Sequence, residues 1–352
     1  MLAFAFDVGN GFVKARNGKR KIIAPSVIAK EETLGNSSID FESNLNYQTY
    51  VSNLDDETTY IWGEGIKEAV DPDALILTYT HNNRYTQKRF KLLCSFILSE
   101  LASDYEDHEL NDIVVVTGLP SQEVGTKEAE DFKRFIKQKH VVTRNGEQRV
   151  INVTDVRIIE QPLGTLLNVY MNESGQVHKE LMTSTITVVD FGAGTTIIDT
   201  FKNLKRIDDK SETYYEGMND VYKRIAKKLE REHGVKGLDL SYIEEGFQNG
   251  SLVAQISKRK KYSFEHIAKE VIIDFIEKRI SDIDSTLTNR NSIDKFIVTG
   301  GGENIAGEQF KEMFNEESLN SVNDSQQANL DGFYKLALTI LSKGKNIHAN
   351  AM

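Results

Sequence analysis

Hydrophobic residues recur along this chain with two different spacings. Runs of mainly apolar residues that end at a carboxylate or a glycine cover residues 2–6, 113–117, 186–189 and 295–299. Such runs are typical of strands buried on both faces. Apolar residues at helical spacing predict helices over residues 87–101, 264–283 and 329–341. Buried strands and amphipathic helices therefore occur in both halves of the chain.

The first apolar run leads into a glycine turn with candidate chemistry. Asp7 ends the run, Gly9 and Gly11 flank Asn10, and the strand that follows carries Lys14. Glycine backbone approaches an anion closely, and successive N–H groups can point at it. A carboxylate in this position suits the water shell of a Mg²⁺ ion that bridges phosphates. The motif alone has low specificity, because hairpins with glycine turns are common.

The same pattern occurs a second time, which makes the motif a stronger indication of phosphate binding. Asp190 ends an apolar run, Gly192 and Gly194 follow, and Thr195 precedes the next strand. A motif that occurs twice indicates a duplicated fold. We expect the two turns to hold one polyphosphate from opposite sides, and their carboxylates to face the same metal ion.

Two further junctions carry candidate site residues. Glu160 and Gln161 lie between a strand and a helix whose first turn contains Pro162. An acidic residue there is also common simply because it suits the start of a helix. Gly300, Gly301 and Gly302 follow a buried strand and precede Glu303 and Asn304 in the sequence. This segment is either a helix entry or a place where a ligand lies against bare backbone.

Length and charge narrow the possible classes of protein. A chain of 352 residues predicts two domains. Its formal charge of −10 argues against a general nucleic-acid binder. The single cysteine, Cys94, predicts a reducing cytoplasm, and we expect no membrane segment. The basic run at residues 258–261 is either a solvated surface or a contact with another subunit or a partner.

Taken in order, these motifs resemble those of the actin, Hsp70 and sugar-kinase superfamily. The Asp7 turn resembles its first phosphate loop, Glu160 to Pro162 the start of its first connecting helix, the Asp190 turn its second phosphate loop, and Gly300 to Gly302 its adenosine loop. Within the superfamily, the closing helix at residues 330–334 and the strand end at residues 118–120 resemble ParM-type plasmid-segregation actins, especially those of the divergent Gram-positive branch.

The resemblance implies an α/β, actin-like fold with two duplicated domains around a nucleotide cleft. Domain I would cover residues 1–162 with an inserted subdomain at about 31–79. Domain II would cover residues 163–328 with an insertion at about 237–262. The C-terminal helix, residues 329–352, would return to domain I.

The resemblance also implies ATP and Mg²⁺ as ligands and gives the candidate residues their functions. Asp7 and Asp190 would hold Mg²⁺ through water, and Glu160 would orient the attacking water, with Gln161 as the alternative. The residues implied to contact the nucleotide itself are Gly9, Asn10, Gly11, Lys14, Gly192, Gly194, Thr195, Gly217, Gly300, Gly301, Gly302, Glu303 and Asn304.

A ParM-type function would be ATP-dependent assembly into filaments that segregate plasmid DNA, with ATP hydrolysis controlling filament stability. The expected partners are further copies of the chain and a centromere-binding adaptor of the ParR type, without direct contact to nucleic acid or membrane. The alternative is a small-molecule kinase of the same superfamily. A kinase needs a further carboxylate base beside the γ-phosphate, and no convincing acid for that function is visible in the sequence.

Overall fold

The computed structural model describes residues 1–35, 46–78 and 84–349, with side chains described up to residue 343. Residues 36–45 and 79 of the first expected insertion, and residues 350–352 of the C-terminal segment, lie outside the described residues. The chain forms two compact units. The first comprises Met1–Val177 and Asn329–Met352, and the second comprises His178–Ala328. The boundary at residue 162 inferred from the sequence stays a prediction.

The described strands and helices alternate in both units. The strands are β1 (Leu2–Val8), β2 (Phe12–Arg16), β3 (Lys21–Pro25), β4 (Val27–Lys30), β5 (Gln48–Ser52), β6 (Asp55–Trp62), β7 (Ile76–Leu77), β8 (Ile113–Leu119), β9 (Lys139–Arg144), β10 (Glu147–Glu160), β11 (Thr185–Phe191), β12 (Thr196–Lys202), β13 (Lys205–Arg206), β14 (Glu212–Tyr214), β15 (Val253–Gln255), β16 (Lys261–Ser263), β17 (Lys295–Thr299) and β18 (Leu319–Ser321). The helices are α1 (Ile66–Ala69), α2 (Lys88–Ala102), α3 (Lys127–Ile136), α4 (Gln161–Tyr170), α5 (Lys179–Thr183), α6 (Met218–His233), α7 (Leu240–Gln248), α8 (Glu265–Thr286), α9 (Glu303–Phe314) and α10 (Ala328–Ala349).

A ten-stranded mixed sheet, in the order β3-β2-β1-β8-β10-β9-β5-β6-β4-β7, organises the first unit. β1 pairs antiparallel with β2 and parallel with β8, which in turn pairs parallel with β10. Alternate residues of β1 and β8 enter two different cores. One core includes residues of α2 and α3, and the other includes residues of α10. The apolar runs of β1 and β8 are continuous because both faces of these strands are covered.

The second unit repeats this arrangement around a six-stranded sheet. β11 pairs antiparallel with β12 and parallel with β17, as β1 does with β2 and β8. Its main core contains residues of α6, α8 and α9. Residues 237–262 contribute α7 and most of the two-stranded β15–β16 sheet. Each unit thus has a hairpin whose first strand also pairs with a parallel strand on its other side.

None of the helices in the described part of the chain is both long enough and apolar enough to span a membrane.

Candidate functional site

The first glycine turn joins β1 to β2 and is fastened by backbone hydrogen bonds. The Gly9 N–H donates to the Phe12 carbonyl at 3.0 Å. A Cβ at Gly9 would lie 2.9 Å from the same oxygen, so a larger residue would force the turn open. Ser26, between β3 and β4, donates its Oγ–H to the Gly9 carbonyl at 2.6 Å and its N–H to the Gly11 carbonyl at 2.9 Å. Hydrogen bonds within the hairpin and from Ser26 therefore stabilise the turn.

Asp7 is buried at the base of this turn, with 3 % of its surface exposed. Strand register places it opposite Lys14, and Lys14 Nζ lies 3.7 Å from Asp7 Oδ2. Gln161 Nε2 donates to Asp7 Oδ1 at 2.8 Å. The carboxylate therefore has one oxygen oriented by an amide and the other facing a cation.

Glu160 and Gln161 have different surroundings although they are adjacent. Glu160 is the last residue of β10, and Gln161 is the first residue of α4. The Gln161 amide is engaged by Asp7. Glu160 is half-buried, and its main chain pairs with Leu119 of β8, but its carboxylate has no hydrogen bond or ion pair to any other residue that the structure describes. The carboxylate of Glu160 is thus the more available of the two groups for a water molecule.

Arg84 also contacts the first turn, and sequence analysis missed it. Its guanidinium donates to the Val8 carbonyl, and to Asn10 Oδ1 at 3.3 Å, while it lies 4.7 Å from the ring centre of Phe90. Arg84 belongs to a short 3₁₀ helix, Arg84–Thr86, that precedes α2. Its local sequence is polar and non-periodic, so no sequence signal connects it with a turn more than seventy positions away.

The second glycine turn joins β11 to β12 with the same internal hydrogen bond. The Gly192 N–H donates to the Thr195 carbonyl at 2.9 Å. The Gly192 and Ala193 carbonyls accept from the N–H groups of Met218 at 3.0 Å and Asn219 at 2.8 Å. These are the first two N–H groups of α6, which have no partner within the helix itself. The turn and the start of α6 therefore complete each other's hydrogen bonding.

Gly217 lies directly behind the second turn. A Cβ at this position would lie 2.5 Å from the Gly192 carbonyl oxygen and 2.7 Å from both the Ala193 carbonyl oxygen and the Thr195 nitrogen. Backbone atoms on three sides leave room only for glycine. The packing of Gly217 thus supports the second glycine turn.

The three consecutive glycines after β17 differ in their surroundings. Gly300 has φ +93°, and a Cβ there would lie 2.2 Å from Asp190 Oδ1. At Gly302 a Cβ would lie 2.6 Å from Met218 Cγ. The nearest neighbour of a Cβ at Gly301 would be Gln326 Cγ, at an ordinary contact distance of 3.8 Å. Internal packing accounts for the first and third glycines, whereas the middle one has room for a side chain.

Glu303 and Asn304 begin α9 and point to different environments. Glu303 accepts hydrogen bonds from Ser321 Oγ at 2.8 Å and Ser325 Oγ at 3.2 Å. Asn304 is exposed. Glu303 therefore joins α9 to the β18 region within the second unit, and Asn304 is free to meet solvent or a ligand.

A surface cavity of about 330 Å³ opens beside the start of α6, and sequence analysis missed it. Its lining is entirely charged and consists of Glu216, Asp220, Lys223, Arg224, Lys227 and Lys278. Asp220 Oδ2 accepts from the Gly217 N–H at 3.1 Å, which connects the cavity to the second turn. A hydrogen bond from Lys278 and the nearby charge of Arg279 lower the pKa of Glu216. The α6 residues recur at helical spacing, a pattern that in sequence is typical of a solvated face.

No cluster of three or more histidine, cysteine, aspartate or glutamate side chains suited to direct metal binding occurs among the described residues. Asp7 and Asp190 each provide a buried carboxylate at the base of a turn. Oxygen ligands suit Mg²⁺, which commonly keeps several of its waters in proteins. Each carboxylate, taken within its own unit, is therefore an oxygen donor of the kind that suits Mg²⁺ held through water.

Two family models cover most of the chain. The model of the N-terminal domain of actin-like proteins matches residues 5–164. The model of the C-terminal domain of the archaeal MreB-like actin homologue matches residues 188–312. The chain belongs to the actin-like proteins. A search of curated proteins finds no match.

Solved structures confirm the actin-like fold that the motif order predicted. The apo ParM protein of psk41 is 29% identical, with a TM-score of 0.77 over 97% of this chain and 98% of that one. The archaeal actin homologue Ta0583 in complex with ADP is 20% identical, with a TM-score of 0.74 over 96% and 99%. A subunit of a 15-stranded ParM filament from Clostridium botulinum is 19% identical, with a TM-score of 0.78 over 96% and 98%.

Proposed function

We propose that this actin-like protein binds ATP with Mg²⁺, assembles into filaments and hydrolyses ATP to control their stability. The observation that carries the nucleotide part is the pair of matching turns. In the described part of the chain, the N–H groups of Asn10, Gly11, Ala193 and Gly194 have no acceptor. These four residues are partly exposed, so their N–H groups are open to water or to a ligand. Phosphate oxygens would be suitable acceptors for the N–H groups of each turn.

The charged groups beside the turns suit the same ligand. Lys14 and Arg84 place positive charge at the first turn, and charge-assisted hydrogen bonds to phosphate are stronger than neutral ones. Asp7 and Asp190 would bind Mg²⁺ through its water shell, and Gln161 would keep the Asp7 carboxylate in a fixed orientation. When bound, the ion would offset negative charge on the phosphates.

The nucleoside half of ATP would lie beside the start of α6. Gly301 offers uncrowded backbone there, and the charged cavity offers the carboxylate of Asp220 as an acceptor for sugar hydroxyls. Asn304 is exposed and able to contribute a hydrogen bond. Glu303 and Gly217 would act through the backbone segments that they support. The ADP complex of Ta0583 is consistent with a nucleotide ligand for this fold.

Hydrolysis requires a group that orients a water toward the γ-phosphorus. We assign this function to Glu160, because its carboxylate has no partner among the described residues, while the amide of Gln161 is engaged by Asp7. Glu160 would accept a hydrogen bond from the water and direct its lone pair. Gln161 would then act indirectly, through Asp7.

The filament and plasmid parts of the proposal are supported only by similarity to known proteins. The C. botulinum ParM protein assembles into a filament, and the psk41 relative is also a ParM protein. By analogy, the chain would form cytoplasmic filaments that move plasmid DNA. The link to DNA would be an adaptor protein of the ParR type, since a net charge of −10 does not favour direct binding.

Nucleotide binding, turnover and sedimentation test the proposal together. The wild-type chain should bind ATP only with Mg²⁺, and it should pellet at high protein concentration with Mg-ATP. Asp190→Asn should weaken Mg-ATP binding. Glu160→Ala should still assemble but release phosphate about 100-fold more slowly, the scale of a lost acid–base or water-orienting group, leaving persistent filaments.

Each failure has a different meaning. Absence of ATP binding by the wild-type chain overturns the nucleotide assignment. ATP binding without any pellet overturns the filament assignment. Normal phosphate release from Glu160→Ala moves the water-orienting function to Gln161. Turnover that requires a sugar or an organic acid would support the kinase alternative.

A further inference from the structure

Arg279 of α8 is completely buried, with 0 % of its surface exposed. Its Nη2 lies 2.8 Å from Asp282 Oδ2 and 3.1 Å from Glu216 Oε2. Its guanidinium also lies 5.4 Å and 5.3 Å from the ring centres of Tyr214 and Phe275. Burial of a charge is unfavourable unless the charge is paired and hydrogen-bonded. An arginine in this position therefore needs an explanation beyond filling space.

The contacts of Arg279 with Glu216 involve both the side chain and the backbone. Nη2 donates to the Glu216 carboxylate, and Nη1 donates to the Glu216 carbonyl at 3.4 Å. Thr196, the first residue of β12, donates its Oγ1–H to the same carbonyl at 2.9 Å. The planar guanidinium fork can fix two acceptors at once, which the ammonium of lysine cannot do with the same geometry. Arg279 thus fixes where the main chain passes at residue 216.

The next residue along the chain is Gly217, which supports the second glycine turn. Its Cα packs against the backbone of Gly192, Ala193 and Thr195. A shift of the Glu216 carbonyl would move the nitrogen and Cα of Gly217 with it, because these atoms belong to one planar peptide unit. Glu216 also lines the charged cavity. One buried side chain therefore reaches both parts of the nucleotide site in the second unit.

Stability alone does not explain this arrangement. A buried ion pair is often replaceable by apolar residues without loss of stability. Asp282, one helical turn from Arg279, is already available to neutralise the buried charge. The carboxylate and the carbonyl of Glu216 are not needed for that neutralisation, and their bonds to Arg279 fix the position of residue 216 instead. Burial raises the pKa of Asp282, whereas the pKa of Glu216 is lowered. The direction for Glu216 agrees with an ionised partner of Arg279.

We propose that Arg279 is a positioning residue for the nucleotide site, which holds the Glu216–Gly217 segment and so sets the geometry of the phosphate turn at residues 192–195. This inference rests on the proposed function, since the turn must bind phosphate for its geometry to matter. Arg279 itself does not contact the ligand. It acts through Glu216 and Gly217.

The test compares ATP affinity with folding stability in matched variants. Arg279→Lys keeps the charge and removes the fork, and it should weaken Mg-ATP binding about tenfold, measured by titration calorimetry well below the unfolding temperature. Asp282→Asn removes the other carboxylate, and it should lower the unfolding temperature without changing ATP affinity. Arg290→Lys makes the same substitution at an arginine that pairs with Asp284 and Glu316 away from the turn. It should leave ATP affinity within about twofold of wild type.

Glu216→Asp provides a second route if Arg279→Lys fails to fold. The shorter side chain withdraws the carboxylate from Arg279 and keeps its charge, and ATP affinity should again fall. Wild-type affinity in a folded Arg279→Lys or Glu216→Asp variant overturns the inference while leaving ATP binding intact. An equal loss of ATP affinity in Asp282→Asn also overturns the inference, because ATP affinity would then change together with folding stability. Absence of ATP binding by the wild-type chain overturns the proposed function and this inference together.

Discussion

Individual glycines in this protein serve folding and ligand binding to different degrees. Position 300 requires glycine because its φ is positive and Asp190 lies close to it. Position 302 requires glycine because Met218 lies close to it. The sequence shows three adjacent glycines after a buried strand, which predicts a ligand-binding loop. It does not show which of them is crowded, because the crowding atoms come from β11 and α6, which are remote in sequence.

The Gly301→Ala variant distinguishes a role in ligand binding from a role in folding. The added methyl group meets only Gln326 at an ordinary distance, so the free energy of unfolding should change by less than about 0.5 kcal/mol. If the nucleoside lies against this backbone, affinity for ATP should fall about tenfold, which corresponds to about 1.4 kcal/mol. Chemical unfolding and calorimetry measure the two quantities.

Gly300→Ala is the matching variant at the neighbouring position, where glycine is required for folding. Strain at a positive φ is on the order of 1–3 kcal/mol, and the clash with Asp190 adds to it. This variant should therefore lose stability. Unchanged ATP affinity in Gly301→Ala would move the nucleoside away from this glycine.

At the scale of elements, the hydrophobic pattern predicted the buried strands and the long helices. β1, β8, β11 and β17 coincide with the mainly apolar runs of the sequence. Helix α7 was not predicted. Its apolar residues Leu240, Ile243 and Phe247 do recur at helical spacing, but the helix has only nine residues in a largely polar stretch, and packing against the core of the second unit stabilises it. The charged cavity was missed for a related reason, since the tertiary packing of α6 beside α8 creates it.

One buried ion-pair network joins helix α2 to strands β5 and β9 of the first unit's sheet. Glu100 accepts hydrogen bonds from Tyr50 of β5 at 2.8 Å, from Arg144 of β9 at 2.6 Å and from Arg20 at 2.9 Å. Burial alone would raise the pKa of Glu100, but the hydrogen bonds and charges of these partners outweigh it and lower the pKa. The network favours the ionised carboxylate, and it fixes α2 against β5 and β9.

Glu100→Gln tests this network through pH. Loss of one partner of a buried pair costs on the order of 3 kcal/mol, so urea unfolding at pH 7 should show a loss of about that size. A lowered folded pKa means that the ionised group stabilises the fold above its unfolded pKa, about 4.3. That stabilisation disappears as pH falls through the folded pKa. The gap between wild type and variant should therefore close in acid.

Glu130→Gln supplies the control for the pH experiment. Glu130 is exposed on α3, so its substitution should change stability by less than about 0.5 kcal/mol at any pH. A gap between wild type and Glu100→Gln that stays constant down to pH 3 would contradict an ionised Glu100 in the folded protein.

For the whole molecule, charge is the property that bears most directly on assembly. Copies that each carry a net charge of −10 repel one another, and added salt screens this repulsion. The basic turn at residues 258–261, which connects β15 to β16, is exposed and has the opposite sign. Assembly at low salt therefore depends on a balance between overall repulsion and local attraction.

We expect repulsion to dominate that balance. Raising the ionic strength from about 0.05 to about 0.3 M shortens the screening length to well below about 10 Å. The protein concentration needed for pelleting with Mg-ATP should therefore fall. Combining Lys258→Glu with Arg259→Glu makes the chain more acidic, so this variant should need more protein at low salt and approach wild type at high salt. A wild-type threshold that rises with salt would contradict the expectation. Attraction across a subunit contact would then be the stronger effect, with the basic turn as the first surface to test.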